Sequence, residues 1–201
     1  MGSRTKGGGL LLPLVLVGGI GVVAYQNGLL DGVLDDGVER ITIDDVSFVV
    51  ADDAASSVER CTKEQIVSDR VCDERHVLLV DAAKMPFIAR NTNLAWSDGH
   101  PGILTMNRSK QNTNRAAACP RSFPRPHGGS CDEYPMASTD QGGAGARAEE
   151  VPTRENLCQG GSYGRQYPKD GEDFLVVIIN PDDIASEPFT GTDIAKEQGS
   201  C

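Results

Sequence analysis

Aromatic side chains are scarce in this chain: Phe, Trp and Tyr together make up 5% of it, with a single Trp. That scarcity argues against a platform on which single-stranded bases stack. None of the six cysteines, at 61, 72, 119, 131, 158 and 201, forms the C-x-x-C pair used by structural zinc sites and redox motifs. Positive charge is also short, 19 Lys and Arg against 29 Asp and Glu for a formal net charge of -10, which taken alone argues against a polyphosphate partner. No internal repeat or low-complexity tract is visible. What is present, 39% apolar residues in 201, suffices for one core of ordinary size.

The distribution of charge changes the picture. Between Lys84 and His127 the bases Lys84, Arg90, Arg108, Lys110, Arg115, Arg121 and Arg125 face the single acid Asp98. Both flanks are acidic. Residues 31–74 carry thirteen acids against four bases, and residues 170–201 eight acids against one. On composition alone this basic island is as readily a solvated face as an anion-binding surface.

No charge occurs from Gly7 to Leu30, and residues 10–24 form a dense apolar block behind Arg4 and Lys6. This reads as an export signal. A spanning helix needs about 20 apolar residues, so the segment is long enough to stay as an anchor, the favoured reading, or to be cleaved after Val22-Val23-Ala24. Either way the remainder is expected outside the cytoplasm, where disulfides persist. The local pairings Cys61 with Cys72 and Cys119 with Cys131 are then favoured, leaving Cys158 with Cys201.

Along the chain, residues 41–43 and 46–50 read as strands bounded by Asp44-Asp45 and Asp52-Asp53 turns, and 57–70 as a short helix. Residues 77–80 read as a buried strand. Residues 86–98 read as a helix with Pro86 near its start and Gly99 closing it. A short helix around 112–118, strands at 132–137, 146–151 and 174–179, and a helical or looped 156–167 complete an α+β order. Beyond Asn180 the acidic chain reads as a loose tail.

The most informative stretch is Cys131-Asp132-Glu133-Tyr134-Pro135-Met136-Ala137. Neighbours on a regular strand point to opposite faces, so one carboxylate is expected to face a reaction centre while the other orients a cation or a loop. Alone, such a pair is more often a turn or a solvated edge. It has company in Gly99-His100-Pro101, Arg108, the run Asn114-Arg115 to Cys119-Pro120, the small-residue turn from Gly142 to Ala146, Asn156 followed by Gln159-Gly160-Gly161-Ser162, and Asp170-Gly171 before Phe174-Leu175-Val176-Val177. In this order, across residues 77–180, the chain resembles the NucA/NucB family of secreted bacterial deoxyribonucleases. It departs from the Bacillus form in having Tyr134 in place of Trp, and the loop framed by Cys119 and Cys131 resembles the actinobacterial form.

The resemblance implies an α+β fold: a compact ββα-metal-like nuclease core with a small antiparallel sheet, preceded by the N-terminal hydrophobic helix. With the charge and hydropathy pattern, the chain divides into four expected segments: a signal or anchor (1–30), an acidic extension (31–75) with no recognised counterpart at 41–73, the nuclease domain (76–180) and an acidic tail (181–201). The implied activity is metal-dependent, sequence-nonspecific endonucleolytic hydrolysis of DNA by a monomer that is secreted or tethered to the membrane. An inactive surface DNA- or protein-binding relative and a nuclease toxin are the alternatives. Asp132 is expected as general base or water-orienting residue, and Glu133 as its alternate, a metal ligand or the partner of one. Asn156 is expected to hold Mg²⁺ or Mn²⁺ through its amide oxygen, with Gln159 one turn on as substitute. Arg108, Arg115 and Arg121 are expected to grip phosphates without reading bases, with His100 beside them.

Overall fold

The computed structural model describes residues 37–199, so the apolar segment read as a signal or anchor lies outside the described residues. No helix among the described residues is long and apolar enough to cross a membrane. Val38–Ile43 (β1) and Val46–Ala51 (β2) form a hairpin whose turn residues, Asp44 and Asp45, both adopt positive φ. The chain then enters Asp52–Val58 (α1), earlier than the reading of 57–70 as helix. Asp52 and Asp53 at the N-terminus favour that start through the helix dipole, and the Asp53 carboxylate accepts hydrogen bonds from the backbone of Gly102 and Ile103. A π-helical turn at Gln65–Asp69 follows, and a disulfide joins Cys61 to Cys72.

Val71–Cys72 (β3) pairs with Arg75–Asp81 (β4), and Pro86–Ser97 (α2) follows. Pro86 sits in the first turn of α2, where its missing N–H costs no helix bond. Gly99, at φ 88, closes the helix. Its N–H donates to Trp96 O, and the His100 N–H donates to Ala95 O. This is the Schellman arrangement, which requires a residue tolerant of left-handed backbone at this position. Ile103–Thr105 (β5), Gln111–Ala118 (α3), Ser130–Tyr134 (β6), Arg147–Val151 (β7), Thr153–Gln166 (α4) and Asp173–Ile179 (β8) complete the elements.

The main sheet is mixed and six-stranded, ordered β1-β2-β8-β4-β3, with β5 also on β8. β4 and β8 run parallel, from His76 opposite Phe174 to Asp81 opposite Ile179. This differs from the single small antiparallel sheet expected; the small antiparallel pair is a separate hairpin of β6 and β7. Residues 38–51, in the segment read as an acidic extension, supply two strands of the main sheet. The alternation of β4 and β8 explains their central place. Leu78, Val80, Phe174, Val176 and Ile178 face one core with α2, α4 and the hairpin, while Val77, Leu79, Leu175 and Val177 face a second core with α1 and the Cys61–Cys72 disulfide. Strands covered on both faces are apolar throughout, which is why both read as continuous runs. Each such side chain stabilises the fold by about 1.5–3 kcal/mol relative to exposure.

The segment after Asn180 is not a loose tail. Phe189 packs edge-on against Phe87 with ring centroids 5.4 Å apart, Arg154 is ion-paired with Asp193, and the Glu197 N–H donates to Ala83 O. Phe189 packs on α2 with the buried Ala185 and Ala195 beside it in the same stretch.

Candidate active site

The β6–β7 hairpin runs directly into α4 through Pro152, so two strands and a helix form one continuous unit. The β6 pleat separates the two carboxylates as the strand period demands. Glu133 turns to a cavity of about 270 Å³, whose wall also includes Arg108, Gln111, Arg115, Gln159, Tyr163 and Tyr167. Asp132 turns inward, with 2% of its surface exposed. Its Oδ1 accepts from Gln159 Nε2 at 2.6 Å and its Oδ2 from Asn91 Nδ2 at 2.9 Å. Gln159 therefore connects them: it lines the cavity beside Glu133 and touches the carboxylate behind it.

Glu133 is 5% exposed, and its Oε1 lies 3.1 Å from Arg115 Nη2. On its other side, Oε2 lies 3.1 Å from the Cys119 sulfur. That sulfur is bonded to Cys131, so it offers no proton and the contact is one of packing. Cys158 is also disulfide-bonded, and its expected partner Cys201 lies outside the described residues.

Burial dominates the acid–base character. Asp132 is pushed up to about 7 by desolvation; the Asn91 hydrogen bond opposes this, the Glu133 charge adds to it, and Gln159 and Arg115 oppose it. Glu133 is also raised by burial, against the pull of Arg115. Tyr167 at the cavity wall is raised to about 12 by burial, so it stays a neutral hydroxyl.

The remaining sequence candidates divide. Arg115 and Arg108 reach the cavity; Arg108 is tied there by an ion pair to Asp170 and a hydrogen bond to Pro168 O. Arg121 is exposed on the loop between Cys119 and Cys131. His100 lies elsewhere, in a surface recess with Trp96, Gly99 and Pro101. The Tyr134 hydroxyl accepts from Trp96 Nε1 and donates to Pro101 O on that side. Asn156 is half-buried on α4 and is not among the residues lining the cavity. α4 begins at Thr153, and its phase presents Gln159, Gly160, Tyr163 and Gly164 instead.

The oxygen donors the cavity wall holds for a hard divalent cation are the Glu133 carboxylate, which Arg115 also pairs, and the Gln159 amide. No group of three or more His, Cys, Asp or Glu side chains suited to a metal occurs among the described residues. The Gln159 Nε2 is spent on Asp132, which leaves the amide oxygen as the acceptor beside the Glu133 carboxylate. One carboxylate, one amide oxygen and water form the oxygen-rich, incompletely protein-bound set that Mg²⁺ accepts.

Residues 89–177 match the family model for deoxyribonuclease NucA/NucB. This domain belongs to the NucA/NucB family. It is a deoxyribonuclease, a DNA-degrading enzyme. The NucA/NucB match opens inside α2, closes inside β8 and encloses α3, the hairpin and α4, the elements that build the cavity. No curated protein matches the chain.

Two residues of the site region escaped sequence reasoning. Asn91 lies on the buried face of α2 with Ile88, Thr92 and Ala95, a polar residue at a core-facing position, and that mismatch is the signal that could have found it. Glu155 is fully buried, and its Oε2 accepts the N–H groups of Phe87 at 3.0 Å and Ile88 at 3.1 Å, capping α2 from another helix. Burial raises it from 4.5 to about 8. Because the folded value exceeds the unfolded one, its contribution to stability is complete below about pH 4.5 and is lost as pH rises through about 8. Glu155→Gln keeps an oxygen for both N–H groups and removes the ionisation. The melting temperature of the variant is expected to match wild type near pH 4.5 and to exceed it increasingly toward pH 9, as read by thermal denaturation across that range.

Proposed function

We propose that this NucA/NucB domain is a metal-dependent endonuclease that hydrolyses DNA phosphodiesters without regard to sequence, outside the cytoplasm. The observation that carries the reading is the junction at Gln159, which touches Asp132 and stands with Glu133 and two arginines around one cavity.

Glu133 and the Gln159 amide oxygen would hold the cation, which when bound supplies positive charge to the developing phosphorane and the leaving oxygen. The chain's own residues do the rest. Asp132, raised to about 7, lies one hydrogen bond behind the cavity wall; its Oδ1 keeps a second lone pair beside the one given to Gln159 and takes the proton of an attacking water that enters past that amide. Arg115 stands beside Glu133 and orients the scissile phosphate, and Arg108 holds the rim at Asp170 while meeting a neighbouring phosphate. Neutral Tyr163 and Tyr167 exclude bulk water from the inner wall. Disulfides at Cys61–Cys72 and Cys119–Cys131 support action in an oxidising compartment, after export by the apolar N-terminal segment as a secreted or membrane-held enzyme.

The test is digestion of supercoiled plasmid with Mg²⁺ or Mn²⁺, against the same protein in chelator. Nicked and linear products only with metal are expected; equal cleavage in chelator would refute metal dependence. Binding rests on few cations, so for about three phosphate contacts a rise from about 50 to about 200 mM salt lowers affinity roughly 40-fold. Cleavage at subsaturating DNA should fall accordingly.

A further inference from the structure

We propose that Asn91 is a positioning residue for Asp132, its one amide fixing the rotation of that carboxylate behind the cavity wall; the inference rests on the role given to Asp132 above. Asn91 sits in the middle of α2 with none of its surface exposed. Its Nδ2 donates at 2.9 Å to Asp132 Oδ2 and at 3.1 Å to the Asp132 backbone oxygen. One amide thus grips the side chain and the main chain of the same residue, which sets the carboxylate's rotation. Gln159 holds the other oxygen.

Packing alone does not explain this residue. Asn91 Oδ1 is buried with no hydrogen-bond partner, a standing cost that an apolar side chain of similar volume would avoid. The hydrogen bonds Asn91 makes with its polar head go to Asp132.

The neighbouring residue supplies a control within the same fold. In the hairpin register Asp132 lies opposite Glu149, and Glu149 is gripped by Arg90, the residue before Asn91. Adjacent positions of one helix therefore serve adjacent carboxylates of one hairpin by different means. A guanidinium neutralises Glu149 as a structural anion, whereas a neutral amide orients Asp132 without cancelling its charge. The carboxylate given the amide is the one beside the cavity wall.

The experiment compares Asn91→Leu, Asn91→Asp, Asp132→Asn and the Asn91→Leu/Asp132→Asn double variant with wild type, in the full chain, by steady-state DNA cleavage and melting temperature. For the Asn91 variants kcat is expected to fall about 10–100-fold, as for loss of an orienting partner. KM for DNA should stay within about twofold, and the double variant should be no slower than Asp132→Asn. Asn91 variants with kcat within about threefold of wild type beside an inactive Asp132→Asn would overturn the proposal alone, as would a double variant slowed by the product of the single effects. Wild-type kcat in Asp132→Asn would instead overturn the proton-acceptor assignment itself. Asn91→Asp keeps the shape of the side chain and carries the test if Asn91→Leu does not fold; unfolding of both would assign Asn91 to the fold and end the proposal.

Discussion

Asp132→Asn is expected to lower kcat for DNA cleavage by about 10³-fold while leaving the domain folded. The size follows from removing a proton acceptor held near neutrality, and the intact fold follows from the environment of the side chain. Burial already disfavours the charged form of Asp132, so a neutral amide relieves a strain that the carboxylate imposes. The one conflict is that both carboxylate oxygens accept amide protons, from Gln159 and Asn91, and the substituted side chain would present an NH₂ to one of them. A flip of the Asn91 amide would let its unpartnered Oδ1 accept that NH₂ at the loss of the Nδ2 bond to the backbone oxygen of residue 132, a cost that the relief of the buried charge offsets. The melting temperature should therefore equal or exceed that of wild type at pH 8. A folded Asp132→Asn protein that cleaves within tenfold of wild type would remove the proton-acceptor role.

The second large effect separates stability from activity through the two disulfides. Cys119 and Cys131 close a loop with a sequence separation of 12, and Cys61 and Cys72 one of 11. By loop closure each bond contributes about 3 kcal/mol. Replacing either pair with serines should then lower the melting temperature by roughly 6–12 °C. The consequences for cleavage differ. Cys61–Cys72 belongs to the core behind the sheet, away from the cavity. Cys119–Cys131 joins the end of α3 to β6 and packs its sulfur against Glu133, while α3 carries Arg115 onto the same carboxylate. Cys119→Ser/Cys131→Ser is expected to lose more than tenfold in kcat/KM, and Cys61→Ser/Cys72→Ser less than threefold, at a temperature where both remain folded. Equal losses would show that the bond beside Glu133 acts on stability alone.

How much of this was legible in the chain depends on whether the governing interaction was local. α2 was readable because its start and stop are written in Pro86 and Gly99, and β4 and β8 because strands covered on both faces are apolar without interruption. The nearest-neighbour cysteine pairings at 61–72 and 119–131 were readable for the same reason. The opposite orientation of Asp132 and Glu133 follows from the strand period alone. By contrast, a one-turn difference on a helix decides whether an amide reaches the cavity, and nothing local sets that phase. Asn156 was expected as a cation ligand, and α4 brings Gln159 to the cavity instead. Asn91 and Glu155 act on partners about 41 and 67 residues distant, Asp132 and Ile88, and no pattern of short-range spacing marks such pairs. The run from 57 to 70 is helical in two pieces, the end of α1 and residues 63–69, because the chain breaks between them where Cys61 is tied back to β3.

The chain after β8 bears on where this enzyme can be cut. A fragment trimmed where the family match stops, at 177, would sever β8 before Ile178 and Ile179, the two residues through which it pairs with β2. Trimming at 180 instead would discard Phe189 from the α2 surface and the Asp193 carboxylate from Arg154, leaving a guanidinium beside buried Glu155 without its counter-ion at the base of the helix that presents Gln159. A shortened form for crystallisation or DNA-binding work should therefore extend past Glu197 to keep the chemistry intact.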